Sequence, residues 1–239
     1  MQPLPPALPP SPEPRLFAED LPVLLITTAV RAVPSANVRV SDHERRLEYT
    51  LEGIGEWVAR VPELRIVVCD GSNVDLTSTI REKWPTSTIE VLHFQNNEKK
   101  VARFGKGFGE GQIIMFALKK SQLLRQAPVF MKCTGKLWVE NFHEVLANIR
   151  RTNGFMIRWR ADEHGQRKPF WVDTRFFVVE KTFFRKHLAS AYRDVDIRAG
   201  HYIEHVYAER LGKISAVRKL RFVVKPEIHG VSGSTGQRR

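Results

Sequence analysis

The chain has 239 residues, 42% of them hydrophobic and 10% aromatic, which suffices for a sizeable core and excludes an intrinsically disordered chain. No apolar run approaches the roughly 20 residues that a membrane-spanning helix needs, and no Cys/His cluster has zinc-ligand spacing. The formal charge of +12 is uneven: residues 150–239 hold 20 Lys and Arg against 9 Asp and Glu, which implies an anionic partner such as a nucleotide diphosphate, a lipid surface or a nucleic acid.

Residues 1–14, MQPLPPALPPSPEP, form a proline-rich tail expected to stay outside the fold. Pro22 to Thr28 reads as a first core strand; Glu19 and Asp20 precede it where a signal peptide would carry positive charge. A polar loop from Arg31 to Asp42 leads to a helix over His43 to Val61, with Leu47, Leu51, Ile54, Trp57 and Val58 on one face. Strands follow at Leu64 to Cys69, Ile89 to Phe94 and Val129 to Thr134. Helices are expected at Leu76 to Trp84, Gly111 to Leu124 and Asn141 to Arg151. Cys69 and Cys133 end two of the strands and read as small buried hydrophobes in a reducing compartment. This alternation predicts an α/β protein with a mostly parallel sheet flanked by helices. Beyond residue 155 the pattern is less regular. Phe155 to Trp159 and Phe170 to Val179 read as extended, Lys181 to Tyr192 and Tyr202 to Leu211 as helices, and Val217 to Val224 as a late strand.

Two segments carry most of the chemistry. The run LRIVVCDGSN delivers Asp70, Gly71 and Ser72 to the carboxyl end of a buried strand; the carboxylate suits a base N–H or a ribose hydroxyl, and the glycine suits a sharp turn. The run FGKGFGEGQIIMFAL, from Phe104, places three glycines, Lys106 and Glu110 before an apolar-periodic helix. It is neither a Walker loop nor a dinucleotide fingerprint. Both features point to a crevice at the top of an α/β sheet.

With ITTAVRA before them, these segments resemble the nucleotide-binding half of GT-A-type glycosyltransferases, in particular bacterial enzymes of lipopolysaccharide O-antigen and capsule synthesis. The resemblance covers about residues 22–211 and implies a Rossmann-like, GT-A-like domain over 15–224, with a nucleotide-binding half (15–150), an acceptor half (151–224) and a basic C-terminal lid (225–239). It implies that Thr27, Thr28, Arg31 and Asp70 hold the nucleoside, that Lys106 meets a phosphate and that Glu110 holds a sugar hydroxyl. Where that family usually carries a metal-binding Asp-x-Asp, this chain has Lys132-Cys133-Thr134-Gly135-Lys136. Metal-independent transfer without a cofactor is therefore expected, with Lys136 and Lys132 balancing the leaving diphosphate. Asp194-Val195-Asp196 has the letters of the metal motif but follows a helix-like segment. His201 and His205, four apart, lack a third ligand.

The resemblance also places a general base at Glu204, with Asp173 as the alternative. Trp159, Phe170 and Trp171 supply an acceptor side, and Lys225, His229, Ser232 and Ser234 belong to the lid. The expected partners are a nucleotide sugar and a glycan or lipid-linked acceptor, in the cytoplasm or at the inner face of an anionic membrane. The competing readings are a basic nucleic-acid-binding module and a nucleotidyltransferase; no recognised nucleic-acid motif is present.

Overall fold

The computed structural model describes residues 21–31, 42–149, 152–232 and 236–238. The proline-rich tail, most of the Arg31–Asp42 loop and Ser234 lie outside the described residues.

Strands β1 (Val23–Thr28) and β2 (Ile66–Asp70) are buried at every position, as strands covered on both faces must be. They pair in parallel with each other, β1 with β4 (Val129–Thr134) and β2 with β3 (Ile89–His93). An antiparallel hairpin of β6 (Gly154–Ala161) and β7 (Arg167–Glu180) extends the sheet to the order β3-β2-β1-β4-β7-β6. Only Phe176–Glu180 of β7 pair with β4; earlier residues pair with β6 alone. The hairpin thus runs past the carboxyl ends of the parallel strands.

One layer consists of α1 (His43–Arg60) and α6 (Phe142–Ala147). Ile54, Trp57, Phe142 and Val145 pack there against Leu24, Ile26, Val68 and Phe176. Asp42 caps α1 by accepting from the Arg45 N–H at 2.8 Å. The opposite layer holds α4 (Lys106–Lys120), α7 (Lys181–His187) and α8 (Ile203–Gly212), whose Ile113, Ala117, Phe184, Val206 and Leu211 cover Leu25, Val67 and Phe177. Shorter helices α2 (Thr77–Lys83), α3 (Glu98–Phe104) and α5 (Gln122–Gln126) bridge strands. β5 (Leu137–Val139) and β8 (Ile228–Gly230) form a separate two-stranded ladder.

Three expectations are corrected. The glycine-rich stretch is helix: α4 begins at Lys106, and only Gly105 has a left-handed φ, of 95°. The helical glycines serve close packing. A Cβ on Gly111 would lie 2.1 Å from Tyr192 Cβ, and one on Gly107 2.8 Å from Ile203 Cβ. Gly111→Ala is therefore expected to destabilise by about 3 kcal/mol, although alanine favours a helix by about 1 kcal/mol; chemical denaturation measures the balance. The late strand is a 3-10 turn at Val217–Leu220, which buries Val217 and Leu220 three residues apart. The end of the expected Lys181–Tyr192 helix likewise tightens into a 3-10 turn at Ala191–Asp194.

Candidate functional site

Strand register sets Thr28 beside Asp70 and Thr27 beside Thr134 at the carboxyl edge of the sheet. Gly135 follows, its N–H donating to Thr27 O at 2.7 Å; a Cβ there would lie 3.0 Å from that oxygen. Lys136 then adopts a left-handed φ of 75°. Its backbone is held by α1, where a Cβ on Gly53 would come within 3.1 Å of it, and by the Val231 N–H, which donates to Lys136 O at 3.1 Å.

Lys136 is 6% exposed, and no hydrogen bond or ion pair of its ammonium occurs among the described residues. Burial, with the nearby charges of Arg46 and Lys106, pushes its pKa down to about 7. Arg46 comes from α1 and Lys106 from the start of α4, so cations from both layers meet at the centre of the edge. The Arg46 guanidinium also donates to the Ala29 and Val30 carbonyls at 2.8 and 3.2 Å. Burial lowers its pKa and the charge of Asp70 opposes that fall.

Asp70 has a different place from the one its position suggested. It is 0% exposed. One oxygen accepts from the Ser72 N–H and hydroxyl, both at 2.7 Å, and from the Val74 N–H at 3.1 Å; the other accepts from the Val30 N–H at 2.8 Å. The Ser72 hydroxyl in turn accepts from the Arg31 N–H at 2.9 Å. The carboxylate is committed to main chain, so it shapes the loops after β1 and β2 without facing a ligand. Asp70→Ala would strand several buried N–H groups and is expected to cost about 3 kcal/mol or more, measured by urea unfolding. Thr28 turns toward α1, its hydroxyl 3.2 Å from that of Thr50. Gly71 admits Ile113 and Asn96, the latter with a buried Oδ1 that has no partner among the described residues.

Lys132 is also committed. Its ammonium, 0% exposed, donates to Glu110, to Thr134 Oγ1 at 2.8 Å and to Thr174 O at 2.7 Å. It neutralises Glu110 from within and is not a counter-charge for a ligand. Thr27 and Thr134 donate to the same Glu110 oxygen at 3.3 and 3.2 Å. The second oxygen, Oε2, has no hydrogen bond among the described residues, and the side chain is 20% exposed.

Glu204 sits in the first turn of α8, where Thr174 Oγ1 donates to it at 3.4 Å. Burial raises its pKa, and the charges of Glu110 and Asp173 raise it further against the pull of Lys106 and its own backbone N–H. Asp173 differs. Burial pushes it up, but the Arg175 guanidinium, bonded at 2.8 and 2.5 Å, outweighs burial and leaves it below the usual range. That pairing removes the basicity a proton acceptor needs.

Of the aromatic residues, Trp171 meets the His205 ring edge-on at 4.8 Å and lies 6.4 Å from Tyr202, next to Glu204. Phe170 lies under the Arg160 guanidinium at 4.6 Å, and the indole N–H of half-buried Trp159 has no partner among the described residues. The described part of the C-terminal segment is tied down. His229 lies in β8 beside Trp138, exposed Lys225 accepts from Asn141 Nδ2 at 3.1 Å through its carbonyl, and Arg238 pairs with Glu52 at 2.7 Å. Asp194 bonds Arg210 at 2.5 Å, Asp196 accepts from the Arg198 N–H at 2.9 Å, and His201 pairs with Glu209 at 2.8 Å. Among the described residues no group of three or more His, Cys, Asp or Glu converges to hold a metal ion.

No protein-family model and no curated protein matches the sequence. Among solved structures, core-mannan synthase A from Aspergillus fumigatus, in a Mn/GDP form, superposes with a TM-score of 0.51 at 11% identity, covering 92% of this chain and 77% of that one. The inositol-1-phosphate CTP transferase from T. maritima gives 0.48 at 10% identity, with 88% and 89% covered. The chain shares with the mannan synthase an α/β, GT-A-like fold, its mostly parallel six-stranded sheet lying between two helical layers.

Proposed function

We propose that this protein is a glycosyltransferase that moves a sugar from a nucleotide-sugar donor to a hydroxyl of a glycan or lipid-linked acceptor, and that it does so without a divalent metal. The observation that carries the reading is the meeting of Lys136 with Arg46 and Lys106 at the carboxyl edge of the sheet, where the charge of Lys106 also reaches Glu204. A buried ammonium with no anionic partner among the described residues suits a ligand that brings its own negative charge, and a diphosphate does. The core-mannan synthase is described with manganese and GDP. The residues here do not fit a divalent ion: the loop after β4 offers Thr134, Gly135 and Lys136, and Lys132 already neutralises the nearby Glu110.

In this scheme Glu204 accepts the acceptor hydroxyl proton, and the oxygen attacks the anomeric carbon. The bond to the diphosphate breaks, and the nucleoside diphosphate leaves toward the three cations. Such a single displacement inverts the anomeric centre. Glu110 holds a sugar hydroxyl through its free oxygen, and Trp171 offers an apolar face to the acceptor ring. The loop that Asp70 organises, with Arg31, Ser72 and Asn96, receives the nucleoside. A base at the acceptor side, Glu204, also separates this reading from nucleotidyl transfer. A sugar phosphate needs no base to attack, and the Glu204 carboxylate would repel it. Acceptors of the O-antigen or capsule type are the class we assign.

The test is a thermal-shift panel of nucleotide sugars with EDTA or with added manganese. Binding to the native state raises the melting temperature by mass action. A shift by at least one nucleotide sugar, undiminished by EDTA, is expected. No shift by any donor defeats the reading, and a shift that EDTA abolishes defeats its metal-free part. Release of pyrophosphate in place of nucleoside diphosphate would mark a nucleotidyltransferase.

A further inference from the structure

The layer made by the second half of α4, α7, the Ala191–Asp194 turn and α8 has a charge pattern that the carboxyl-edge site does not use. Exposed Lys119 and Lys120 end α4, Arg185 and Lys186 end α7, Arg193 lies in the turn and Lys213 follows α8. None of these six pairs with a carboxylate among the described residues. The acids among them are taken, Asp194 by Arg210 and Glu209 by His201.

Between α4 and the turn lies an open groove of about 450 Å³. Met115, Phe116, Ala189 and Tyr192 line it, with Lys119 and Arg193 as its cations. Phe116 is held in place by stacking on Phe94 at 4.3 Å. A second groove beside it carries Lys186 and Lys213 next to Ile214. Across the sheet the charges are mixed: α1 carries Glu44, Glu48, Glu52 and Glu56 together with Arg45, Arg46 and Arg60, and Glu52, Glu56 and Glu140 are paired with Arg238 or Arg60. No helix among the described residues is long and apolar enough to cross a membrane.

We infer that this basic face docks the protein on an anionic phospholipid bilayer. Its cations meet lipid phosphates, and the apolar groove lies at the boundary of headgroups and acyl chains. Cations rimming an apolar floor match that boundary. A single-stranded nucleic acid calls for a continuous cationic channel with open aromatic faces, whereas one ring of this groove is already stacked. The mixed and partly paired charges of the opposite layer give such a surface no comparable attraction, so the basic face is the one that docks.

The experiment is co-sedimentation of the full chain, without donor, with vesicles of phosphatidylcholine alone or mixed with phosphatidylglycerol. Binding to the mixed vesicles only, released by raised salt, is expected. The triple variant Lys119→Glu, Lys186→Glu, Arg193→Glu should bind at least about 100-fold more weakly while its melting response to nucleotide sugars is unchanged. The milder Lys119→Gln, Lys186→Gln, Arg193→Gln set serves if the reversals do not fold. No binding to the mixed vesicles, equal binding to neutral ones, or an unaffected triple variant overturns the inference. So does retention of single-stranded RNA by this face at physiological salt without vesicle binding. Because no donor enters the sedimentation, this outcome is independent of the glycosyl-transfer reading.

Discussion

Replacing Lys136 with methionine is expected to make the protein more stable and worse at binding. The ammonium is buried with no partner among the described residues and lies near Arg46 and Lys106, so its pKa falls from 10.5 to about 7. The unfolded chain keeps its proton up to about pH 10.5, and the native state loses it near pH 7. Native stability therefore rises with pH across that window, and the full cost, on the order of 4 kcal/mol, is present below it. Lys136→Met removes this cost. Its melting temperature should exceed that of the wild type at about pH 6, and the gap should close as the pH approaches about 10.

Binding should respond in the opposite sense. A bound diphosphate favours the charged lysine, so wild-type affinity for a nucleotide sugar should fall by up to about tenfold per pH unit above neutrality. The methionine variant should bind at least about 100-fold more weakly, with a flat profile. Calorimetric titration across pH reads both effects. A variant that is destabilised, or that binds with unchanged affinity and unchanged pH dependence, overturns the role assigned to Lys136.

The second large effect concerns Glu204. Glu204→Gln keeps the shape of the side chain and removes its basicity, so kcat is expected to fall by about 1,000-fold with donor KM nearly unchanged. The raised pKa of Glu204 predicts an acidic limb in the wild-type rate profile above the usual carboxylate range, since the base must be ionised to work. Glu204→Asp should recover part of the rate and retain a limb. If Asp173→Asn abolishes the limb and Glu204→Gln does not, the assignment fails. The Arg175 pair, which holds Asp173 below the ordinary range, argues for the first outcome.

How much of this was legible without coordinates differs from feature to feature. The strands around Ile26, Val68 and Met131 announce themselves as short apolar runs, because a strand covered on both faces excludes polar residues along its whole length. The glycines of α4 misled, because local sequence signals a flexible turn, whereas the demand for small residues comes from Tyr192 and Ile203, far along the chain. Arg46 carried a faint signal as a cation beside the apolar face of its helix, and Asn96 carried none. The Val217–Leu220 turn shows the ordinary ambiguity of a short apolar segment, which suits a strand or a 3-10 turn until its neighbours are known.

The order of strands and helices, the GT-A-like architecture and the concentration of charged and polar groups at strand ends were determined by the sequence itself. Hydrophobic periodicity acts between near neighbours and needs no knowledge of the rest of the molecule. Which charges are spent and which remain available was decided only by tertiary structure. Asp70 and Lys132 look free in the sequence and are saturated by backbone amides, Glu110 and threonines, while Lys136 is left with two other cations for company. Electrostatic partnership depends on distances between segments remote along the chain, and the packing of two helical layers across one sheet sets those distances.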